Sequence, residues 1–197
     1  MNKFMTQKIV PRIFGLAVSS FMYANAMYAN AIDTKSVKVE FVGYKAPVMA
    51  DLAGSFKTIQ YTFGKDTRSI VGVLQNASAT IVPTSSEIPD NEIATDNMNK
   101  VFFPTLLGKN NIKVTFIKVV EGEDTGLLRA KVVIGKESSI VPLVYTINNG
   151  KFVAKGTLDL HNFSQGEKAL RALSDAAAGH ASITWGNVEL IFTADVR

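Results

Sequence analysis

The stretch VPLVYTINNGKFVAKGTLDL, Val141 to Leu160, alternates on both sides of Asn149-Gly150. With those two residues at the centre of a tight turn, Ile147 faces Phe152, Tyr145 faces Ala154, Leu143 faces Gly156 and Val141 faces Leu158. That face is apolar throughout. The other carries Thr146, Lys155, Thr157 and Asp159, with Val144 and Val153 as exceptions. A hairpin that is wet on one side and oily on the other must cover its oily side. The cover is either other side chains alone, as in a packed core, or side chains and a ligand.

The same alternation recurs along the chain. Ser36–Tyr44 sets Val37, Val39 and Phe41 against Lys38 and Glu40, and Gly54–Phe63 carries Phe56, Ile59, Tyr61 and Phe63. Arg68–Val82 reads as a long strand that bends near Asn76. Asn111–Val120, Leu127–Ile134 and Val188–Val196 complete a set of eight with the opening hairpin. In the first of these Lys118 falls in register with Val114 and Phe116, so it either snorkels at a rim or marks a slip of register. Two segments change period. Asp90–Leu107 places Ile93, Asn97, Met98, Val101 and Phe102 at helical spacing, with Pro104 ending or kinking it. Gln165–Ala178 places Ala169, Leu170, Leu173 and Ala177 on one stripe, with Ser164 and Glu167 in a capping-box pattern.

Eight one-sided strands solve the burial problem as a sandwich or as a closed barrel. The inward positions include the small residues Gly43, Gly72, Ala130, Ala154, Gly156 and Ala194 among Phe41, Phe116, Tyr145 and Phe192. Small inward residues either leave room or compensate for the aromatics in a filled, tapering interior.

Residues 1–31 stand apart. MNKFMTQKIVPR is basic, IFGLAVSSFM is apolar, and YANAMYANA offers small-x-small sites at Ala26 and Ala31. This is the pattern of a secretory signal peptide, with cleavage after Ala31 preferred over Ala26, and the apolar run falls short of the roughly 20 residues a membrane span needs. The expected product, residues 32–197, is one periplasmic or secreted domain. Three of the 21 basic residues and none of the 17 acidic ones lie in the leader. The rest of the chain is therefore almost neutral and has no dense cationic run, which argues against nucleic acid as a partner. The absence of cysteine excludes disulfides, thiolate metal sites and a lipidated cysteine.

Catalytic signatures are missing. His161 and His180 are nineteen residues apart, outside any metal spacing, and no HExxH, GxSxG, GxGxxG or phosphate-binding loop occurs. Asp90, Glu92 and Asp96 sit where acids stabilise a helix start. Asn76-Ala77-Ser78 and Asn162-Phe163-Ser164 match the glycan acceptor pattern, which matters only in a host with that machinery. We expect no enzyme, no cofactor and no metal.

Four blocks carry a family resemblance: VEFVGYKAPVMADLAGSFKTI (residues 39–59), DNMNKVFFPTLL (96–107), VPLVYTINNGKFVAKGTLDLHNF (141–163) and TWGNVELIFTADV (184–196). Together they resemble the YceI-like, polyisoprenoid-binding proteins, a group of exported bacterial lipocalin-like barrels, in the branch with a helix before the last strand. GKESSIVPL stands here where the better-known branch has Gly-Val-Thr-Lys-Pro-Val. The resemblance implies a mainly β fold, an eight-stranded antiparallel lipocalin-like barrel with two short helices. It implies a non-enzymatic protein holding a polyisoprenoid (quinone-like) or fatty amphiphile along its axis, for carriage, storage or stress protection. Candidate lining residues are Phe41, Phe116, Leu143, Tyr145, Phe152, Leu158 and Phe192 from the strands, with Phe102, Phe103 and Leu170 closing one end. Tyr145 is the candidate for a polar head-group contact. The alternative is a structural or interaction module with a filled barrel, using a surface such as the loop from Thr84 to Asp96. Whether two chains pair as a homodimer stays open.

Overall fold

The computed structural model describes residues 31–177 and 181–197. The leader, apart from Ala31, and the expectation for His180 lie outside the described residues. Ten strand segments form one antiparallel sheet: β1 (Ile32–Lys45), β2 (Ala50–Phe56), β3 (Ile59–Thr62), β4 (Ser78–Ile81), β5 (Ser86–Glu87), β6 (Ile112–Val120), β7 (Thr125–Ile134), β8 (Glu137–Asn148), β9 (Lys151–Asp159) and β10 (Asn187–Val196). Their order is β3-β4-β6-β7-β8-β9-β10-β1-β2-β5.

Ten segments and eight expected strands describe the same curled sheet. β2 and β3 are halves of one strand bent at Lys57-Thr58, and β4 and β5 are halves of another, parted by a 3-10 turn at Pro83–Ser85. Hydrogen bonds bridge both breaks. Lys57 N–H donates to Ser85 O (3.0 Å), Thr58 N–H to Ser85 Oγ (3.0 Å), and Val82 N–H to Thr58 O (3.0 Å). The first bent strand therefore follows the second from Ile59↔Ile81 to Ser55↔Glu87, and the circuit from β1 back to β1 is joined.

The opening hairpin has its expected geometry. Asn149 (φ 50°) and Gly150 (φ 72°) are both left-handed, as a two-residue type I′ turn requires. Tyr145 pairs with Ala154 and Ile147 with Phe152. Along β8, Val141, Leu143 and Tyr145 are buried while Pro142, Val144 and Thr146 are exposed. In β6 the register slips between Phe116 and Lys118, turning Lys118 out to solvent and Val119 inward. The Gln75 side chain fills the slip, accepting from Val119 N–H (3.0 Å) and donating to Ile117 O (3.1 Å).

Several expectations need correction. Arg68–Val82 is a short helix, α1 (Ile70–Leu74), followed by β4. Ser69 caps α1 by accepting from Gly72 N–H, so Gly72 is helical and no inward strand residue. Left-handed Asn76 (φ 63°) then turns the chain into β4. Asp90–Leu107 is helical in three parts: α2 (Glu92–Asn97), a π-turn (Met98–Phe102) and α3 (Phe103–Leu107). Phe103 N–H donates to Met98 O, and this wider turn carries the helix past Pro104, which lacks an N–H. Ile93 faces solvent, 77% exposed, where the helical stripe had placed it inside. Ser164 does not cap α4 (Gly166–Ala176), because both its N–H and its hydroxyl bond the Glu137 carboxylate (2.8 and 3.0 Å).

Candidate functional site

Alternation tells which face a residue occupies, and the structure adds how deep it lies. At one end the barrel is full. Tyr145 and Phe152 stack at 4.6 Å, both wholly buried, and Ala154, the cross-strand partner of Tyr145, is buried with them. The Tyr145 hydroxyl accepts from Gly122 N–H (3.0 Å), and burial pushes its pKa above the ordinary phenol value. α1 seals this end, with Ile70, Val73 and Leu74 fully buried and its first N–H groups capped by the Glu121 carboxylate.

Above that plug the barrel is hollow. Phe192 meets Phe152 edge-on at 6.0 Å and Phe116 at 5.3 Å, and this pair forms a floor. Over it lies a cavity of about 170 Å³, walled by Val39, Phe41, Leu52, Ala130, Val132, Leu143, Leu158, Val188 and Leu190. Met98, Phe102, Phe103 and Leu106 from the second helical segment, with Leu170 and Leu173 from α4, cover the far side. Polar side chains are confined to a few positions, among them Tyr44, Lys45, Tyr61, Thr184 and Trp185. Burial among these walls raises the Tyr61 pKa.

The small residues contribute unequally to this space. A Cβ built on Gly43 meets nothing within 4 Å, so this inward position of β1 faces open volume. Gly156 is different, since a Cβ there would stand 2.3 Å from Pro142 O and 3.0 Å from Leu143. Ala154 and Ala194 belong to the packed region. Of the sequence candidates, the cavity brings together Phe41, Phe102, Phe103, Phe116, Leu143, Leu158, Leu170 and Phe192. Tyr145 and Phe152 lie outside it, in the plug, and the Tyr145 hydroxyl is engaged with Gly122.

One rim was not anticipated. Ser174 of α4 and Thr184 share a hydrogen bond (2.7 Å), Trp185 N–H donates to Tyr44 O (2.9 Å), and the Trp185 indole N–H donates to Ala46 O (2.8 Å). These contacts tie α4, the segment before β10 and the β1–β2 hairpin around the cavity. His161 stands outside the lining, with Nδ1 at 2.8 Å from Asp159 and Nε2 at 3.4 Å from Glu167. Among the described residues no cluster of three metal-ligating side chains occurs, and no helix is long and apolar enough to cross a membrane.

The fold has solved counterparts. BcnA of Burkholderia cenocepacia superposes with a TM-score of 0.52 over 84% of this chain and 99% of its own, at 18% identity. A YceI protein of Campylobacter jejuni superposes with a TM-score of 0.51 over 74% of this chain and 85% of its own, at 14% identity. The chain has the YceI-like fold. At these identities the likeness concerns the barrel and not what it holds. No family model matches the sequence, and no curated protein matches it. In this YceI-like barrel the cavity sits between the aromatic floor and the helices.

Proposed function

We propose that the chain is an exported, non-enzymatic carrier that holds a polyisoprenoid, quinone-like or fatty amphiphile in its barrel. The observation that carries this reading is the hollow above Phe116 and Phe192, with Gly43 facing open volume in it. An apolar cavity of roughly 150 Å³ is already enough to stay dry and bind benzene. Each methylene moved from water into such a lining contributes roughly 0.8 kcal/mol, so a hydrocarbon chain is favoured without covalent chemistry. Chain ordering and lost mobility offset part of that gain. The plug around Tyr145 is what a filled barrel would look like; the other half departs from it.

Trp185 is the single tryptophan of the chain and stands on the cavity lining, which makes it a reporter. Titration with an isoprenoid quinone should quench its emission saturably, and a fatty acid added afterwards should reverse the quenching. Emission that falls only linearly with quinone, as for collisions in solution, would count against the carrier.

A further inference from the structure

We propose that the β1–β2 hairpin tip, Ala46–Met49, with Trp185 beside it, is a lip that docks on a phospholipid bilayer so that an apolar ligand passes between membrane and barrel. This rests on the carrier reading. Val48 is 82% exposed, Met49 43% and Trp185 36%. An exposed apolar tip is ordinary in isolation, but this one adjoins the rim. Lys45, which pairs with Ala50 across the hairpin, lines the cavity, and so does Trp185. The tip thus adjoins the mouth of the hollow through Trp185 and the aliphatic stem of Lys45, so a hydrocarbon tail following them avoids crossing water.

The tip is shaped at a cost. Ala46 (φ 58°) and Met49 (φ 52°) both hold the left-handed conformation that glycine or asparagine adopts with less strain. KAPVMA places apolar residues there instead. The tip is also fixed, with Ala46 N–H bonded to Ile183 O (3.0 Å), Met49 N–H to Ala46 O (3.1 Å) and Ala46 O to the Trp185 indole (2.8 Å). A tryptophan with a satisfied N–H and an exposed apolar body suits a membrane interface. The flanking charges, Lys45 and Asp51, are of opposite sign, so the partner is selected by apolar contact and not by head-group charge.

The test uses the full folded chain and phosphatidylcholine vesicles. We expect flotation with the vesicles that is the same at low and high salt. In Val48→Asp/Met49→Asp, vesicle binding should drop at least roughly tenfold, and transfer of a pyrene-labelled fatty acid from vesicles should slow in proportion. Both changed side chains are outside the cavity lining, so label taken up from dilute solution should stay at its original level. Wild-type protein that does not float, or a variant that transfers at the wild-type rate, would overturn the proposal. So would a self-associated dimer that the double substitution abolishes, since the tip would then belong to a second copy. Normal flotation with no uptake of label by either protein would instead strike the carrier reading beneath it.

Discussion

The ring of Phe192 stands perpendicular to that of Phe152, 6.0 Å away, and marks where the packed end of the barrel stops and the hollow begins. Below it, Phe152 stacks on Tyr145; above it, Phe116 and Phe192 face the cavity. This boundary separates changes that affect stability from changes that affect binding.

In the plug, stability should respond alone. Tyr145→Phe removes the hydroxyl that accepts from Gly122 N–H and should cost about 1 kcal/mol. Gly126→Ala would set a Cβ 2.5 Å from the Tyr145 ring and 2.3 Å from Val120 O, and should cost about 1–3 kcal/mol. Denaturant unfolding reads both, and quinone quenching of Trp185 should keep its midpoint in each. A shifted midpoint in Tyr145→Phe would show that the phenol reaches the ligand.

In the hollow, the order reverses. Gly43→Leu directs a side chain into open volume on a strand where glycine packs nothing. Stability should hold or rise by up to about 1 kcal/mol, while ligand uptake falls at least tenfold because the added side chain takes the ligand's space. Lost stability with unchanged uptake would mean that the volume beside Gly43 is not where the ligand lies.

Acid should loosen the fold gently. Asp159 is held below the usual carboxylate range by the His161 backbone N–H first and its side chain second. The Lys35 backbone N–H and then the Arg197 side chain act in the same direction on Asp33. A carboxyl with a depressed folded pKa adds stability that is complete above its unfolded value and is lost as pH falls through the folded one. The melting temperature should therefore decline below roughly pH 4, and shallowly, because both carboxyls stay in contact with solvent that screens them. Asp159→Asn should flatten part of that decline in a calorimetric pH series. An identical slope would assign the acid sensitivity elsewhere.

Much of the fold was legible because from Val141 to Leu160 the inward face of β8 and β9 is apolar throughout, with Val144 and Val153 interrupting the polar face, and Asn149-Gly150 fits one turn type. What escaped was short or three-dimensional. α1 spans five residues, too few for a helical stripe, and its Ile70-Val71-Gly72-Val73 reads equally well as a strand. The bend at Lys57-Thr58 leaves alternation intact on both sides, so one strand was expected where two segments form. For the site, face was readable and depth was not. Tyr145 and Leu143 are neighbours on the same inward row, yet only Leu143 reaches the cavity. Leu52, Leu173 and Trp185 were missed as lining; Leu173 stood on the α4 stripe beside Leu170 and only its reach into the cavity went unread, while Trp185 had no periodic signal because it precedes β10.

Native mass spectrometry of freshly purified protein weighs most directly whether the space above Phe192 is there to be filled. An adduct with the mass of an apolar chain molecule, released by organic solvent and reduced in Gly43→Leu, is the expected result. Protein that runs at its bare mass, and that stays bare after incubation with isoprenoid quinones and fatty amphiphiles, would contradict it.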